Sequence, residues 1–353
     1  MKEFFKVFGK WFWRLSSIYF IIIILCLVKV DYYLYLPGNL SDIKNEIVIK
    51  DSDKELDGSV SSVYVLSFTR PTLLSYLLSK DLKYSTTYKM TKSDVISYDS
   101  SLDRAIGSFD SKQSFSNAEL AAYSLKLKED GEDYYKQVTY IQSANSDINC
   151  NIKYTDLVGQ MITGYEDNLN SYPKLQEVSS YLKEKAIGDT AILYLKDSKD
   201  KETTCEITKM EKDGSGLFGI TITTSFILNT ESFIDVDNVF TQGPSGGAMH
   251  ALYIYLMLED ENLLKGRKIA GTGTIGYSLD ALGNVESFSK VGAIGCVEQK
   301  LYAAYLDGAK IFYCPSANYE DCMEAYELYG FNEDDIRVVE VNYLEDIIED
   351  LRG

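Results

Sequence analysis

The stretch Gly243-Pro244-Ser245-Gly246-Gly247 leads directly into an apolar run from Ala248 to Leu258, a pattern that predicts a serine carried by a rigid turn to the start of a buried helix. Free backbone amides and the positive end of the helix dipole at such a position can hold a developing oxyanion. Glycines also let a substrate carbonyl approach without a Cβ in the way. The pattern makes Ser245 a candidate nucleophile, with an oxyanion-binding backbone expected at Gly243, Gly246 and Gly247.

The partner base is not expected to be histidine. The chain holds one histidine, His250, which follows Ser245 by five residues on the same predicted helix. Side chains at that spacing diverge, because helical neighbours that meet are three or four residues apart. Lys300, on a short apolar segment that ends at Asp307-Gly308, is the candidate base. Its pKa, ordinarily near 10.4, would have to be lowered by burial, as in other Ser-Lys dyads.

Either motif alone is more often structural. A Gly-Pro-Ser-Gly-Gly string is commonly a loop, and a lysine on an amphipathic helix is usually solvated. In combination they resemble the proteolytic domain of the Lon family, which carries Gly-Pro-Ser-Ala-Gly, then a Thr-Gly-bearing strand, then a lysine followed by an aliphatic residue and two alanines. Lys268 to Ile275 resembles that strand, and Val291 to Gly295 resembles the approach to the lysine helix. The resemblance implies that Ser245 is the nucleophile, Lys300 the base, and Thr272 the residue that orients the lysine.

The chain departs from the family pattern at three places. Gly246 stands where an alanine is usual, and Gln242 stands where ATP-dependent members often have aspartate. Residues 286–290 resemble an insertion before the lysine helix, so Lys290 is kept as the alternative base.

Composition and short motifs limit the kinds of ligand and partner that the chain is expected to bind. The 353 residues have a formal net charge of -18 and no basic stripe, so nucleic-acid binding is not expected. No Gly-x-x-x-x-Gly-Lys-[Ser/Thr] motif occurs, so no nucleotide site is expected. The six cysteines lack metal-site spacing, and neither a metal nor another cofactor is expected. Cys150 with Cys205 is the pair to test for a disulfide, which the sequence alone cannot assign, whereas Cys296 fits a small apolar filler.

The N-terminus predicts a membrane anchor. The chain is apolar from Trp11 to Val28 with few interruptions, a borderline length for a spanning helix. We expect a cytoplasmic tail over 1–14 and a transmembrane anchor over 15–36. The basic residues that precede the apolar core keep the tail inside and place the bulk of this single-pass protein outside the cell membrane: Lys2, Lys6, Lys10 and Arg14. A cleaved signal peptide is the alternative, although no small-x-small site follows the apolar run.

Two further regions precede the expected Lon-type proteolytic domain at 213–353. An N-terminal extracytoplasmic region, 37–130, includes a predicted helix that starts at Ser116-Asn117-Ala118-Glu119, which fits a capping box. The β-rich part at 131–212 resembles a PDZ domain, with a helix followed by Gly188-Asp189-Thr190. Gln160 replaces the aspartate usual after the first glycine. The resemblance implies peptide binding by strand addition; the alternative is a spacer packed on the peptidase.

The expected fold is therefore α+β and multidomain, with a transmembrane helix, a PDZ-like module and a C-terminal Lon-type α/β domain. This order resembles the membrane-bound PDZ-Lon peptidases. The resemblance implies an ATP-independent serine endopeptidase that acts on exported peptides, unfolded protein or membrane-protein ectodomains; it leaves open whether the chain forms a homo-oligomer. A catalytically silent, membrane-tethered binding scaffold is the alternative from another class. A signal-peptidase-like enzyme also uses Ser-Lys, but the Gly-Pro-Ser-Gly-Gly motif and its late position argue against it.

Overall fold

The computed structural model describes residues 2–129, 133–236 and 242–353. The helices are α1 Lys2–Leu27, α2 Leu73–Ser79, α3 Lys92–Ser97, α4 Ser100–Lys126, α5 Tyr154–Leu157, α6 Leu175–Glu184, α7 Gly247–Leu258, α8 Val297–Leu306, α9 Tyr319–Tyr329 and α10 Leu344–Arg352. The strands are β1 Tyr32–Asp42, β2 Ile47–Ile49, β3 Ser59–Thr69, β4 Thr86–Lys89, β5 Tyr135–Ala144, β6 Asn149–Cys150, β7 Met161–Tyr165, β8 Thr190–Lys196, β9 Glu202–Thr208, β10 Met210–Lys212, β11 Ser215–Leu217, β12 Ile220–Leu228, β13 Ile234–Val236, β14 Lys268–Gly271, β15 Thr274–Leu279, β16 Val285–Gly292, β17 Ile311–Pro315 and β18 Arg337–Val341. The chain is thus a mixed α/β protein with one apolar N-terminal helix.

Helix α1 is long and apolar enough to cross a membrane. Its segment Phe8–Leu27 has 20 residues, and none of its most apolar stretch is buried inside the protein. The helix ends at Leu27 and Tyr32 already begins β1, so the expected anchor boundary at residue 36 is wrong. The backbone of residues 32–36 is hydrogen-bonded in a sheet, because this alternating Tyr-Tyr-Leu-Tyr-Leu segment can pair with β3 and bury Leu34.

The central sheet is built from both ends of the chain. Its strand order is β18-β17-β14-β3-β1-β4, with β18, β17, β14 and β3 parallel to one another and β1 and β4 antiparallel to their neighbours. Half of these strands therefore lie before residue 90. The expected boundary between an N-terminal region at 37–130 and a proteolytic domain at 213–353 does not follow the sheet, because β3 pairs directly with β14.

Helices cover both faces of this sheet. On one face α4, α7 and α10 form a core with Val60, Ile269 and Tyr313. On the other face α8 and α9 pack over Ala270 and Phe312. Alternate residues of the buried parallel strands β14 and β17 serve the two cores, as expected for strands that are covered on both sides. Helix α7, apolar on every side in its sequence, is buried over nearly its whole length for the same reason.

A second sheet forms the β-rich part of the chain, with strand order β12-β5-β7-β8-β9-β6. Its core includes Val178 and Tyr181 of α6. Strand β12 pairs with β5 along Ile220–Leu228, so this unit extends past the expected boundary at residue 212. The thiols of Cys150 and Cys205 lie 3.2 Å apart on adjacent strands of this sheet, and both are free cysteines.

Helix α4 begins well before the predicted start at Ser116. Asp99 is its N-cap and accepts hydrogen bonds from Ser101 N and Leu102 N. The Ser116-Asn117-Ala118-Glu119 motif lies inside the helix, where Glu119 accepts instead from Ser232 Oγ and Phe233 N. The capping-box interpretation was wrong because a capping motif specifies a helix start only when no residues before it can continue the helix.

Candidate active site

The turn that carries Ser245 is fastened to α4. The Gly243 N–H donates to Gly107 O at 3.0 Å, and Ser114 Oγ donates to Pro244 O at 3.2 Å. Gly243 has φ +89°, a left-handed conformation that favours glycine. Gly246 is the N-cap of α7, so Ser245 lies immediately before the helix, as its sequence predicts. The support from α4 was missed at the sequence level, because nothing in its local sequence marks Gly107 or Ser114.

Lys300 lies beside Ser245. Its Nζ is 2.7 Å from Ser245 Oγ and 3.0 Å from Thr272 Oγ1. The Thr272 hydroxyl donates in turn to Ser245 O at 3.0 Å, and the carbonyl also accepts from Gly273 N at 2.8 Å. Thr272, immediately after β14, therefore contacts both the lysine head group and the serine backbone and holds them in one arrangement.

Burial alters the chemistry of this lysine. Lys300 is 2 % exposed, on a helix whose inner side carries Val297, Leu301 and Ala304. Loss of hydration disfavours the ammonium and lowers the pKa of Lys300 to about 8, outweighing the opposing electrostatic effect of Cys296. Burial also raises the pKa of the Cys296 thiol. An amine with a pKa near 8 is partly neutral near pH 7 and can accept a proton from a hydroxyl.

Two of the three glycines expected to bind an oxyanion use their N–H groups elsewhere. Gly243 N donates to Gly107 O, and Gly247 N donates to Pro244 O at 3.1 Å. The first bond fastens the turn to α4 and the second closes the turn itself, so both N–H groups are already used in positioning Ser245. Of the three, Gly246 keeps the position of an oxyanion donor at the start of α7.

A cleft of about 790 Å³ opens at Ser245 and Lys300. One wall is the middle of β3, from Ser62 to Ser67. Strand β14 pairs with β3 only along Ser59–Ser62, whereas β1 pairs with it as far as Thr69. Among the described strands, the cleft side of β3 beyond Ser62 therefore has no partner. Side chains from both faces of β3 contribute to the lining, since the cleft runs along the strand edge.

The floor of the cleft contains a buried carboxylate–imidazole pair. His250 Nε2 is 3.1 Å from Glu46 Oε2, and the other Glu46 oxygen accepts from Ser41 Oγ. Both residues are about 95 % buried, and the His250 ring stacks on Phe115 at 4.3 Å. Burial opposes ionisation of Glu46, yet the hydrogen bonds from His250 and Ser41 hold its pKa below the usual value. The spacing between Ser245 and His250 argued against His250 as a base. No pattern in the sequence indicated Glu46, which lies 204 residues before His250.

The departures from the Lon-family pattern have local explanations. A Cβ on Gly246 would lie 2.9 Å from His250 Cε1, so glycine fits where alanine is usual. Residues 286–290 form the middle of β16, which pairs with β15. Lys290 is exposed on that strand and does not reach Ser245. Gln242 lines the cleft mouth and packs against Gly107.

Comparison of the sequence with models of known protein families gave no match, and comparison with curated proteins gave none either. Within residues 2–129, 133–236 and 242–353, no three His, Cys, Asp or Glu side chains are grouped so as to hold a metal ion. The site is therefore interpreted from its own geometry, as a hydroxyl, a buried amine and a second hydroxyl in hydrogen-bond contact at one end of an open cleft.

Proposed function

We propose that this chain is an ATP-independent serine endopeptidase of the membrane-anchored PDZ-Lon type. The observation that carries the proposal is the buried Lys300 Nζ at 2.7 Å from Ser245 Oγ, with its pKa lowered to about 8. This is the distance at which a general base activates a nucleophilic hydroxyl. The strand, helix and turn residues around the pair are those that the resemblance to the Lon proteolytic domain implies.

The reaction proceeds in two stages. Neutral Lys300 accepts the proton as Ser245 Oγ attacks the scissile carbonyl, and the Gly246 N–H stabilises the oxyanion at the positive end of α7. The resulting ammonium donates a proton to the leaving amine, and an acyl-enzyme remains. Lys300 then deprotonates a water molecule, which releases the acyl group and restores the hydroxyl. Thr272 keeps the amine directed at the serine throughout.

The substrate is an extended peptide. The unpartnered edge of β3 offers backbone N–H and C=O groups beside the candidate nucleophile, and an extended segment can pair with such an edge as an added strand. A folded substrate would first have to expose such a segment, since this chain has no P-loop motif with which to couple ATP to unfolding. Exported peptides, unfolded proteins and flexible ectodomain segments meet this requirement.

Helix α1 anchors the enzyme in the cell membrane with its N-terminus in the cytoplasm, in agreement with the basic residues that flank its start. The remaining chain then lies outside. The β-rich sheet from β5 to β12 acts as the PDZ-like module, which recruits peptides or spaces the peptidase.

The proposal is tested with the full chain in detergent micelles, without ATP, on an unfolded protein such as reduced casein. Wild type and Lys290→Ala are expected to cleave it at equal rates, because Lys290 is an exposed lysine outside the cleft. Ser245→Ala and Lys300→Ala are expected to lose cleavage by at least about a thousandfold, the scale seen when a member of a catalytic unit is removed.

Cleavage that survives in Ser245→Ala would overturn the proposal. A wild type without activity on casein and on a set of exported peptides would also count against it, and would favour the membrane-tethered scaffold. The folded state of each variant is checked by circular dichroism, so that a lost activity is not a lost fold.

A further inference from the structure

The segment that follows α1 is bonded to a short helix at the membrane side of the molecule. Leu73 N at the start of α2 donates to Val28 O at 2.7 Å, and Val30 N donates to Pro71 O at 3.0 Å. Helix α2 also packs against α1 itself. If Phe8–Leu27 fills the hydrocarbon core, which needs about 20 helical residues, then α2 begins at the level where the core ends.

The outer side of α2 is apolar and uncovered. Leu77, Leu78 and, just beyond the helix, Leu82 are 44 %, 59 % and 52 % exposed. The ring of Tyr76 packs against the ring of Tyr32 of β1, with centroids 4.6 Å apart, which fixes α2 to the sheet. An amphipathic segment of this kind, held at the end of a spanning helix, is suited to the boundary between headgroups and acyl chains.

The charges beside these leucines fit the same surroundings. Lys80 and Lys83 are exposed next to the leucines, with Asp81 between them, and Lys29 is exposed at the end of α1. The chain as a whole carries a net charge of -18, whereas these three lysines and one aspartate sum to a positive charge. Lysines at the level of the headgroups can keep their charged ends in the polar layer while their aliphatic stems lie along apolar surface.

The same region lies close to the catalytic cleft. Strand β3 runs from Ser62, whose Cβ lies within 3.3 Å of a Cβ built on Gly246, to Thr69 and then Pro71. Nine residue steps at about 3.3 Å each place Ser62 no more than about 30 Å from Pro71 and the end of α1. Leu66 lines the cleft, and Phe68, which points to the same face of β3, is 44 % exposed.

We propose that Leu77, Leu78 and Leu82 insert into the outer lipid surface, and that this contact holds the cleft over the membrane so that the enzyme cuts the juxtamembrane segments of membrane-embedded proteins. The proposal rests on the proposed peptidase function and on the anchor. An extended chain of about ten residues spans about 30 Å, so a substrate emerging from the bilayer reaches Ser245 within about ten residues of its own span.

Lipid contact is measured first, without any cleavage. The two tryptophans of the chain, Trp11 and Trp13, lie in α1, so Trp11→Phe/Trp13→Phe gives a background free of indole. Into this background Leu78→Trp or Leu282→Trp is introduced, the second at an 87 % exposed position on the β15–β16 turn. The full chain is reconstituted in phosphatidylcholine vesicles with brominated acyl chains, which quench nearby indoles.

Quenching of the tryptophan at position 78 but not of the one at 282 is the expected result. Equal fluorescence of the two in brominated and unbrominated vesicles would overturn the proposal. A blue-shifted but unquenched signal at position 78 would indicate a covering protein surface, such as a second copy of the chain, and would overturn it too. Because this experiment needs no activity, its failure is distinct from a failure of the peptidase proposal.

The consequence for substrates is tested with a single-pass protein whose span is followed by a flexible unfolded segment. Wild type is expected to cut it within about ten residues of the span, and to keep that distance when residues are inserted farther out. Leu77→Glu/Leu78→Glu is expected to slow this cleavage about tenfold or more, the equivalent of about 1.4 kcal/mol, and to leave cleavage of a soluble peptide unchanged.

Leu282→Glu serves as the matched control and is expected to alter neither rate. A cut site that moves outward with the insertion, or a Leu77→Glu/Leu78→Glu variant that is equally active or equally impaired on both substrates, would contradict the juxtamembrane assignment. If wild type cut neither substrate, the peptidase proposal itself would fail, whatever the lipid-quenching result.

Discussion

At the scale of single residues, the proposed chemistry depends on one buried lysine. With its pKa lowered to about 8 by desolvation, Lys300 is neutral in about one molecule in ten at pH 7, compared with about one in three thousand at its ordinary pKa. Burying the amine costs free energy in the folded state, because folding lowers its proton affinity. The fold therefore loses stability at Lys300, and in the proposed mechanism the same burial is what makes this lysine a base.

The first prediction concerns the pH dependence of the rate and of stability. The value of kcat/KM for a soluble peptide should rise about tenfold between pH 7 and pH 9, following deprotonation of Lys300 at about 8. Because the folded-state pKa lies below the unfolded one, the destabilising effect is complete below about pH 8 and is relieved as the pH rises towards 10.5. Lys300→Met should therefore raise the free energy of unfolding by up to about 3 kcal/mol at pH 7, with a smaller gain near pH 10.

Stopped-assay rates and urea unfolding at several pH values measure the two effects. The exposed Lys290→Met is the control and should change stability by less than about 0.5 kcal/mol. A rate that does not depend on pH from 6 to 10, or a Lys300→Met protein less stable than wild type at pH 7, would contradict the assignment of Lys300 as a buried base with a lowered pKa.

At the scale of elements, α7 begins against a turn of the N-terminal half of the chain. The 3-10 turn Ile43–Asn45 brings Glu46 under α7, where it meets His250. The imidazole occupies the space that a side chain at position 246 would need. His250 Nδ1 has no hydrogen-bond partner among the described residues, so the His250 ring is held by Glu46 and by the Phe115 ring. The backbone at the start of α7 therefore packs directly against the side chain of His250 in the same helix.

The second prediction follows from this packing. Gly246→Ala should lower the free energy of unfolding by about 1–3 kcal/mol, as overpacking does, and should reduce activity because it displaces the helix start beside Ser245. Adding His250→Ala removes the obstructing ring, so the double variant should be more stable than the sum of the two single effects predicts, by about 0.5–3 kcal/mol.

Thermal or urea unfolding of the four proteins in this cycle gives the coupling energy. Gly276→Ala is the control, because a Cβ there meets nothing within 4 Å. Strictly additive effects of Gly246→Ala and His250→Ala would show that the two positions do not compete for space.

At the scale of the whole molecule, the site is assembled from distant parts of the chain. The sheet that carries Thr272 includes β1, β3 and β4, which lie before the β-rich sheet, together with β14, β17 and β18, which lie after it. Helix α4, which also precedes the β-rich sheet, packs against α7 and holds the Ser245 turn. In sequence, the β-rich sheet is thus inserted between the two halves of the central sheet, and both halves contribute to the candidate site.

The third prediction is that residues 213–353 do not fold alone. Without β3, strand β14 has a bare edge, and without α4 the apolar surface of α7 is open to water. The fragment 213–353 should be aggregated or molten, whereas 29–353 should unfold cooperatively. Proteolysis and near-ultraviolet circular dichroism distinguish the two. A cooperatively folded 213–353 fragment would show that the N-terminal strands are dispensable.

Several features could be predicted from the sequence because they depend on local order. The apolar span of α1, the turn before Ser245, the burial of α7 and the lysine on its short helix each follow from residues that are neighbours in the chain. The pairing of Ser245 with Lys300 could be anticipated as well, through the spacing of motifs that resembles the Lon proteolytic domain.

The remaining features could be found only in the tertiary structure, because they depend on contacts between residues far apart in sequence. Glu46 meets His250 across 204 residues, and β3 pairs with β14 across a similar interval. Gly243 N is bonded to α4 and Gly247 N to Pro244, which leaves Gly246, of the three glycines, as the candidate oxyanion donor. Local sequence was enough to identify the candidate groups for chemistry and the segment that is long and apolar enough to cross a membrane. Only the packing of both halves into one sheet decided how those groups are held, since no local pattern records which distant strand or helix will lie beside them.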